Sequence, residues 1–174
     1  NFAFNNFWVG LLLTSYLHTG DDKYLKLAAD RMALVEERAS DGNTHDIGFI
    51  FLSSAMPFYR ITGDKRHRKT ALRAADKLRS RLVVTKRGSY VSSWGPMDDP
   101  RGRAASAIDT MANIPLLYWA AKEADDASFR LAAEEHAKMT MRSFNRQDNT
   151  QFHAVEYDTA TGDRRRGYTF QGAH

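Results

Sequence analysis

Cysteine is absent from this 174-residue chain, which removes disulfides, thiolate nucleophiles and thiolate-held metals and leaves the redox compartment undetermined. Long apolar runs are missing too, since no stretch approaches the ~20 residues of a membrane span. Charge of one sign is barely in excess. The net charge of +4 is spread along the chain except at Arg164 to Arg166, and no basic helix interleaves with exposed aromatics as nucleic-acid surfaces do. These absences argue against a membrane or nucleic-acid partner, while the modest positive balance is compatible with a small anionic substrate. Metal binding is disfavoured as well: His45, His136, His153 and His174 show no paired ligand spacing such as two His at i and i+4. No Ser sits in a glycine elbow, so a serine nucleophile is not expected. The chain opens Asn-Phe-Ala-Phe and stops at Gln-Gly-Ala-His, and both ends read as cut.

What is present is repetition. NNFWVGLLLTSYLHTGDDKYLKLAADRM, HDIGFIFLSSAMPFYRITGDKRHRKTALRAADKL and IDTMANIPLLYWAAKEADDASFRLAAEEHAKM each run from an apolar helix through an acidic turn to an Ala-rich amphipathic helix. A helical hairpin of this kind cannot bury its apolar first helix alone, so the repeats should pack side by side around a shared centre. Thr19-Gly20-Asp21 and Thr62-Gly63-Asp64 lie 43 residues apart, within the range of helical-hairpin repeats. The third turn, Ala124-Asp125-Asp126, follows after a further 62, which leaves about 19 residues for an inserted β-hairpin and loop between Arg81 and Ser106. A second β-hairpin is expected around Asp158 to Asp163, with Arg164 to Arg166 read as part of a solvated turn.

Asp21 and Asp64 should cap the outer helices, and Gly20 and Gly63 should end the inner ones in the left-handed conformation. Pro57 and Pro115 should kink their helices or mark helix starts. Tyr24-Leu27-Ala28, Ala71-Ala74-Ala75-Leu78 and Phe129-Ala132-Ala133-Ala137 form the buried stripes of the outer helices.

If the hairpins align, the first turns of their inner helices gather at one end, and Asn5, Asn6, Asp46 and Asp109 belong to that end. Neighbouring inner helices pack at ~8 to 10 Å, so Asp46 and Asp109 can share one pocket and carry acid/base chemistry. A proton donor near neutral pH needs a raised pKa. A helix N-terminus lowers the pKa of an aspartate, so for Asp109 to be raised, burial beside Ile108 and Met111 and the charge of Asp46 must outweigh it. The plainer alternative is that both aspartates are N-caps.

HDIGF, YVSSWG, IDTMANIPLLYWA, the His of TQFHAVEYD and TFQG occur in the order in which they resemble glycoside hydrolase family 88, the unsaturated glucuronyl hydrolases. The resemblance runs over essentially the whole chain, and the pair HDIGF with IDxxxNIPLLYWA is its specific part. It implies an all-α (α/α)6 barrel, here an incomplete portion of about three helical hairpins with two short β-hairpin insertions, forming one partial catalytic domain over residues 1–174. The implied activity is acid-catalysed hydration of the vinyl ether of a 4,5-unsaturated uronic acid at the non-reducing end of lyase-generated oligosaccharides, without metal or organic cofactor. By the same resemblance Asp109 is the general acid/base and Asp46 the second carboxylate. His45, His153, Gln171, Trp8 and Trp94 would contact the sugar.

Two readings compete with this one: a family 105 type hydrolase acting on unsaturated galacturonyl-rhamnose, and a non-catalytic sugar-binding α/α fragment. Taken singly, His45 reads as a hydrogen-bonded neighbour, His153 as a structural strand residue and Trp119 as core. Trp94 is the best stacking candidate, and Arg101 and Arg103 are candidate aids to an anionic ligand. The resemblance points to a bacterial pathway, with cytoplasm favoured and periplasm as the alternative; oligomeric state is not legible.

Overall fold

Each hairpin turn is built by two neighbouring residues acting on opposite helix ends. Gly20 and Gly63 adopt φ of 69° and 70° after the inner helices, and Asp21 and Asp64 then accept from the backbone N–H of Lys23 and Arg66 to cap the outer ones. The third turn lacks glycine. Asp125 takes the left-handed position there at φ 52°, and Asp126 caps through Ser128 N–H.

The protein is described here by a computed structural model over residues 3–169, so Gln171 lies outside the described residues, as do the side chains of Asn5 and Asn6. α1 (Ala3–Thr19) packs on α2 (Asp22–Ala33), and a short 3₁₀ turn (Glu36–Ser40) leads to the second hairpin. The inner helix of that hairpin is split into α3 (Ile47–Leu52) and α4 (Ala55–Thr62), which pack on α5 (Lys65–Arg79). Pro57 accounts for the split: its ring lacks an N–H and would clash with the Ser53 carbonyl in a continuous helix, so the chain breaks at Ser53 and Ser54.

The insertion comprises the hairpin strands β1 (Leu82–Thr85) and β2 (Gly88–Val91), then α6 (Pro100–Ala104) and β3 (Ala105–Ala107). A 3₁₀ turn (Ile108–Ala112) precedes α7 (Pro115–Ala124), whose first residue is the expected proline, and α8 (Ala127–Ser143) closes the third hairpin.

The outer helices bury Ala28, Ala71, Ala74, Ala75, Leu78, Phe129, Ala132 and Ala133 in one core with Phe51, Phe58, Leu116, Leu117 and Trp119. Leu27, expected in that stripe, is instead 49% exposed. β4 (Ala154–Tyr157) and β5 (Arg164–Tyr168) form the second hairpin, and β3 adds to the β4 edge, making a three-stranded sheet that the sequence reading lacked. Arg164 to Arg166 open β5 rather than forming a turn. Asp158 turns the chain earlier by accepting from Ala160 and Thr161 N–H, and Arg165 and Arg166 pair with Asp158 and Glu156.

Three contacts across the second and third hairpins share one spacing. His45 meets Asp109, Phe49 N–H meets Asn113 and Tyr59 meets Glu123, each 64 residues apart. A constant offset over this length means that α3 and α4 run parallel to α7 and in register with it. The aspartates at their leading ends therefore arrive together.

Candidate active site

Gly48 sets how close the two inner segments come. A Cβ at this position would lie 2.4 Å from the Cβ of Asn113, so only glycine admits the Asn113 side chain. Asn113, fully buried, accepts from Phe49 N–H at 2.6 Å and donates to the Asp109 carbonyl at 3.1 Å. It thereby satisfies the start of α3 from the neighbouring hairpin. Asp46, at the N-cap position of α3, has helical backbone and makes no side-chain cap bond, so the plain capping explanation fails for it. Asp109 is not a helix cap either: it sits inside the 3₁₀ turn, six residues before Pro115 opens α7.

Both carboxylates turn to His45. Its Nε2 lies 3.0 Å from Asp109 Oδ1 and 3.3 Å from Asp46 Oδ1, while Nδ1 lies 2.6 Å from the Ser93 carbonyl. That carbonyl can only accept, so Nδ1 carries a hydrogen and Nε2 is left to exchange a proton with the carboxylates. The Ser93 carbonyl also receives His45 N–H at 2.8 Å, which fixes the loop as well as the ring. Ser93 is itself held, with its Oγ accepting from Ala107 N–H at 2.6 Å and lying 2.9 Å from Thr110 Oγ1. His45 is buried, whereas the side chains of Asp46 and Asp109 are 42% and 53% exposed. A ligand approaching from solvent therefore meets the carboxylates first, with the imidazole behind them.

Burial works against the His45 imidazolium, yet the hydrogen bonds to Asp109 and the Ser93 carbonyl and the charges of Asp109 and Asp46 outweigh it, and its pKa is raised above the usual 6.5. The Asp109 pKa is lowered, first by the His45 hydrogen bond, with the charges of His45 and His153 adding to it against partial burial. This corrects the expectation of a raised Asp109. The sequence reading counted the apolar neighbours and Asp46 but not an imidazole in direct contact, and that opposite charge prevails. The proton of the cluster thus resides on the histidine side.

The ligating atoms of His45, Asp46 and Asp109 all lie within 4.8 Å of one another, so this trio is the set among the described residues that could hold a metal ion. Spacing along the chain hid it, because its members come from two hairpins.

The other expected residues divide. Trp94 lies beside the cluster, its ring 6.4 Å from that of His45 and its backbone bridged to Thr44. It also lines a cleft of about 380 Å³ with Arg101, Glu156, Arg166 and Tyr168. His153 precedes β4; its carbonyl accepts from Ile108 N–H at 2.9 Å, next to Asp109. Trp8 stands half exposed on α1, next to Phe7, whose ring stacks on Phe49 at 5.7 Å. Arg103 is exposed, and its carbonyl accepts from Tyr90 Oη. Trp119 is buried in the core, as read. A concavity of about 570 Å³ lined by Arg87, Arg142 and Arg164 contains none of the cluster. Ser93 and Asn113 were missed as site residues. Their signal was present, since Ser93 stands within YVSSWG and Asn113 within IDTMANI, but a serine and an asparagine carry no chemistry until their partners are seen.

An array of helical hairpins with an imidazole between two carboxylates at the ends of its inner helices defines an α/α-hairpin domain with a candidate acid/base site. Comparison with known proteins narrows the class. No family model matches the chain. The unsaturated glucuronyl hydrolase of Bacillus sp. (strain GL1) is 35% identical over 97% of this chain and 45% of its own length. The unsaturated chondroitin disaccharide hydrolase of Streptococcus pneumoniae is 31% identical over 97% of this chain and 42% of its own length. The crystal structure of the Bacillus sp. GL1 enzyme, described as responsible for the degradation of glycosaminoglycan, matches with a TM-score of 0.86 at 35% identity, covering 95% of this chain and 44% of that one. An aspartate-to-asparagine variant of the Streptococcus agalactiae enzyme, complexed with dGlcA-GalNAc6S, matches with a TM-score of 0.71 at 27% identity, covering 97% of this chain and 40% of that one. The chain spans just under half the length of the curated relatives it matches. Over nearly all of its own length it is similar to the unsaturated glucuronyl hydrolases, as HDIGF and IDxxxNIPLLYWA indicated.

Proposed function

We propose that this chain carries the acid/base half of a hydrolase that removes the 4,5-unsaturated uronic acid from the non-reducing end of lyase-generated oligosaccharides. The observation that carries the reading is the His45–Asp46–Asp109 cluster, half open to solvent, in a chain 35% identical to an unsaturated glucuronyl hydrolase. The proton held at His45 Nε2 passes to Asp109, which delivers it to C4 of the vinyl ether. Charge develops at C5 and the ring oxygen, where the carboxylate of Asp46 stabilises it. Water adds at C5 and returns its proton to the cluster. The resulting hemiketal opens at the C5–O5 bond to a ketone, which leaves a hemiacetal at C1; its collapse to the aldehyde releases the next sugar, so one water is consumed and the cluster ends as it began.

His153 and Gln171 are proposed to orient the sugar, with Trp94 as its stacking platform and Trp8 as a second apolar wall. The matched relatives are named for glucuronyl and chondroitin disaccharide substrates, which favours family 88 chemistry over the galacturonyl-rhamnose alternative. The three hairpins are read as part of an (α/α)6 ring forming one domain with whatever completes it. The exposure of Phe7, Leu11 and Leu17 along α1 supports that reading, because an inner helix of a ring needs apolar neighbours on both sides.

The test is turnover by the full-length protein of a panel of unsaturated disaccharides, followed by loss of the ultraviolet absorbance of the conjugated double bond. Turnover of glucuronyl-type disaccharides is expected. Turnover of galacturonyl-rhamnose alone would move the protein to the other family's substrates, and binding without turnover would make it a sugar-binding module.

A further inference from the structure

Arg81 is fully buried, yet none of its hydrogen bonds goes to a carboxylate. Its guanidinium donates through Nε to the Ser92 carbonyl at 2.7 Å, through Nη2 to Ser92 Oγ at 3.0 Å, and through Nη1 to the carbonyls of Gly42 and, at 3.1 Å, Gly95. Gly42 belongs to the loop that delivers His45, and Ser92 and Gly95 flank Ser93 and Trp94 on the loop that receives it. Burial pushes the guanidinium down to about 10, against the opposing charge of Asp41, so it remains protonated at neutral pH. Burying a cation costs free energy that apolar packing would avoid. What the planar fork supplies is reach: it spans three backbone carbonyls and a hydroxyl in fixed directions, which a lysine ammonium on a flexible stem cannot do.

We propose that Arg81 is a positioning residue of the active site, clamping the loop of His45 to the loop of Ser93 and Trp94. The clamp acts through Ser92, whose Oγ passes the contact on to the Gly102 carbonyl, and through Ser93, whose carbonyl orients both N–H groups of His45. With the clamp in place Nδ1 stays on Ser93 and Nε2 stays on Asp109. Without it, Gly42 and Gly95 lose their shared partner, and the ring is free to turn away from the carboxylates. The kinetic part of this inference rests on the proposed hydrolase activity; the orientation of His45 does not.

The test uses Arg81→Lys in the full-length protein, which keeps the charge and removes the fork. Beside thermal melting, it reads the ¹⁵N resonances of the His45 ring, identified by their loss in His45→Gln, and steady-state turnover of an unsaturated disaccharide. The expected result is displaced His45 ring resonances and a kcat lower by about 10- to 100-fold with KM changed less than about 2-fold, as for a misplaced catalytic group. Unchanged His45 resonances in a variant that melts cooperatively overturn the proposal. If Arg81→Lys does not fold, Ser92→Ala keeps the guanidinium and removes its Nη2 acceptor together with the link from Ser92 Oγ to the Gly102 carbonyl, and the His45 resonances decide in the same two ways. Should the unsubstituted protein turn over no unsaturated sugar, the hydrolase reading fails while the resonances still decide the role of Arg81.

Discussion

His45 Nε2 stands 3.0 Å from Asp109 Oδ1 across 64 residues of chain, and this contact joins the second helical hairpin to the third at the point where the chemistry is proposed. Because the same nitrogen is 3.3 Å from Asp46, one proton serves two carboxylates. His45 and Asp109 titrate as a coupled pair.

Asp109→Asn keeps the shape of the cluster and removes its ability to pass a proton. A loss of about 10²- to 10⁴-fold in kcat on an unsaturated disaccharide is expected, with the melting temperature little changed. Retained turnover would move the acid role to another residue.

The pH profile follows from the shifts of opposite sign. The His45 pKa is raised, so its ion pair with Asp109 is fully present below the usual 6.5 and is lost as pH rises through the folded value. The Asp109 pKa is lowered, so its contribution is present above the usual 3.8 and is lost as pH falls through its folded value. Activity is therefore expected to be highest at mildly acidic pH and to fall along an alkaline limb set by His45. His45→Gln should abolish that limb along with most of the activity; a limb unmoved in that variant would show that another group controls it.

Gly48 and Asn113 form a packed pair whose separate and joint replacement can be read by urea denaturation. Asn113→Ala leaves Phe49 N–H and the Asp109 carbonyl without their partner and should cost about 1–3 kcal/mol. Gly48→Ala drives a methyl group into Asn113 and should cost a similar ~1–3 kcal/mol. Asn113→Gly combined with Gly48→Ala takes away the Cβ and Oδ1 that the new methyl group meets, so the loss of this double variant should fall short of the sum of its two single losses. Strict additivity would mean that the pair does not meet in solution.

His136 gives a second pH signature, from a residue outside the His45–Asp46–Asp109 cluster. Fully buried, it accepts from Val91 N–H at 3.1 Å through Nδ1, and burial pushes its pKa down to about 3. Between that value and the usual 6.5 the unfolded chain binds a proton that the folded one does not, so stability falls as pH drops through this window. His136→Asn, which retains an acceptor near Nδ1 and cannot titrate, should flatten the fall in urea midpoint between about pH 6 and pH 4.

Much of the architecture was legible because it follows from local chemistry. Gly20, Gly63, Asp21 and Asp64 act at helix ends where a left-handed residue and a side-chain acceptor are needed, whatever the rest of the chain does. Pro57 and Pro115 acted as expected for the same reason. The third strand beside β4 was not legible, since Ala105 to Ala107 show no alternation and become a strand only through their partner. Leu27 misled because a periodic apolar residue at the edge of a stripe is buried only if a neighbour covers it.

By itself, the amino-acid sequence determined the three hairpins, their capped turns, the two β-hairpin insertions and the two aspartates that head successive inner helices. These are short-range consequences of residue type and spacing. Tertiary structure alone decided that His45 would stand between those aspartates, that Asn113 would free Asp46 from capping duty, that Arg81 would join the two loops, and that Asp109 would be lowered rather than raised. Each of those outcomes depends on partners about 10 to 60 residues away, and the sign of an electrostatic shift is set by which charge is nearest in space, a distance that linear order does not contain.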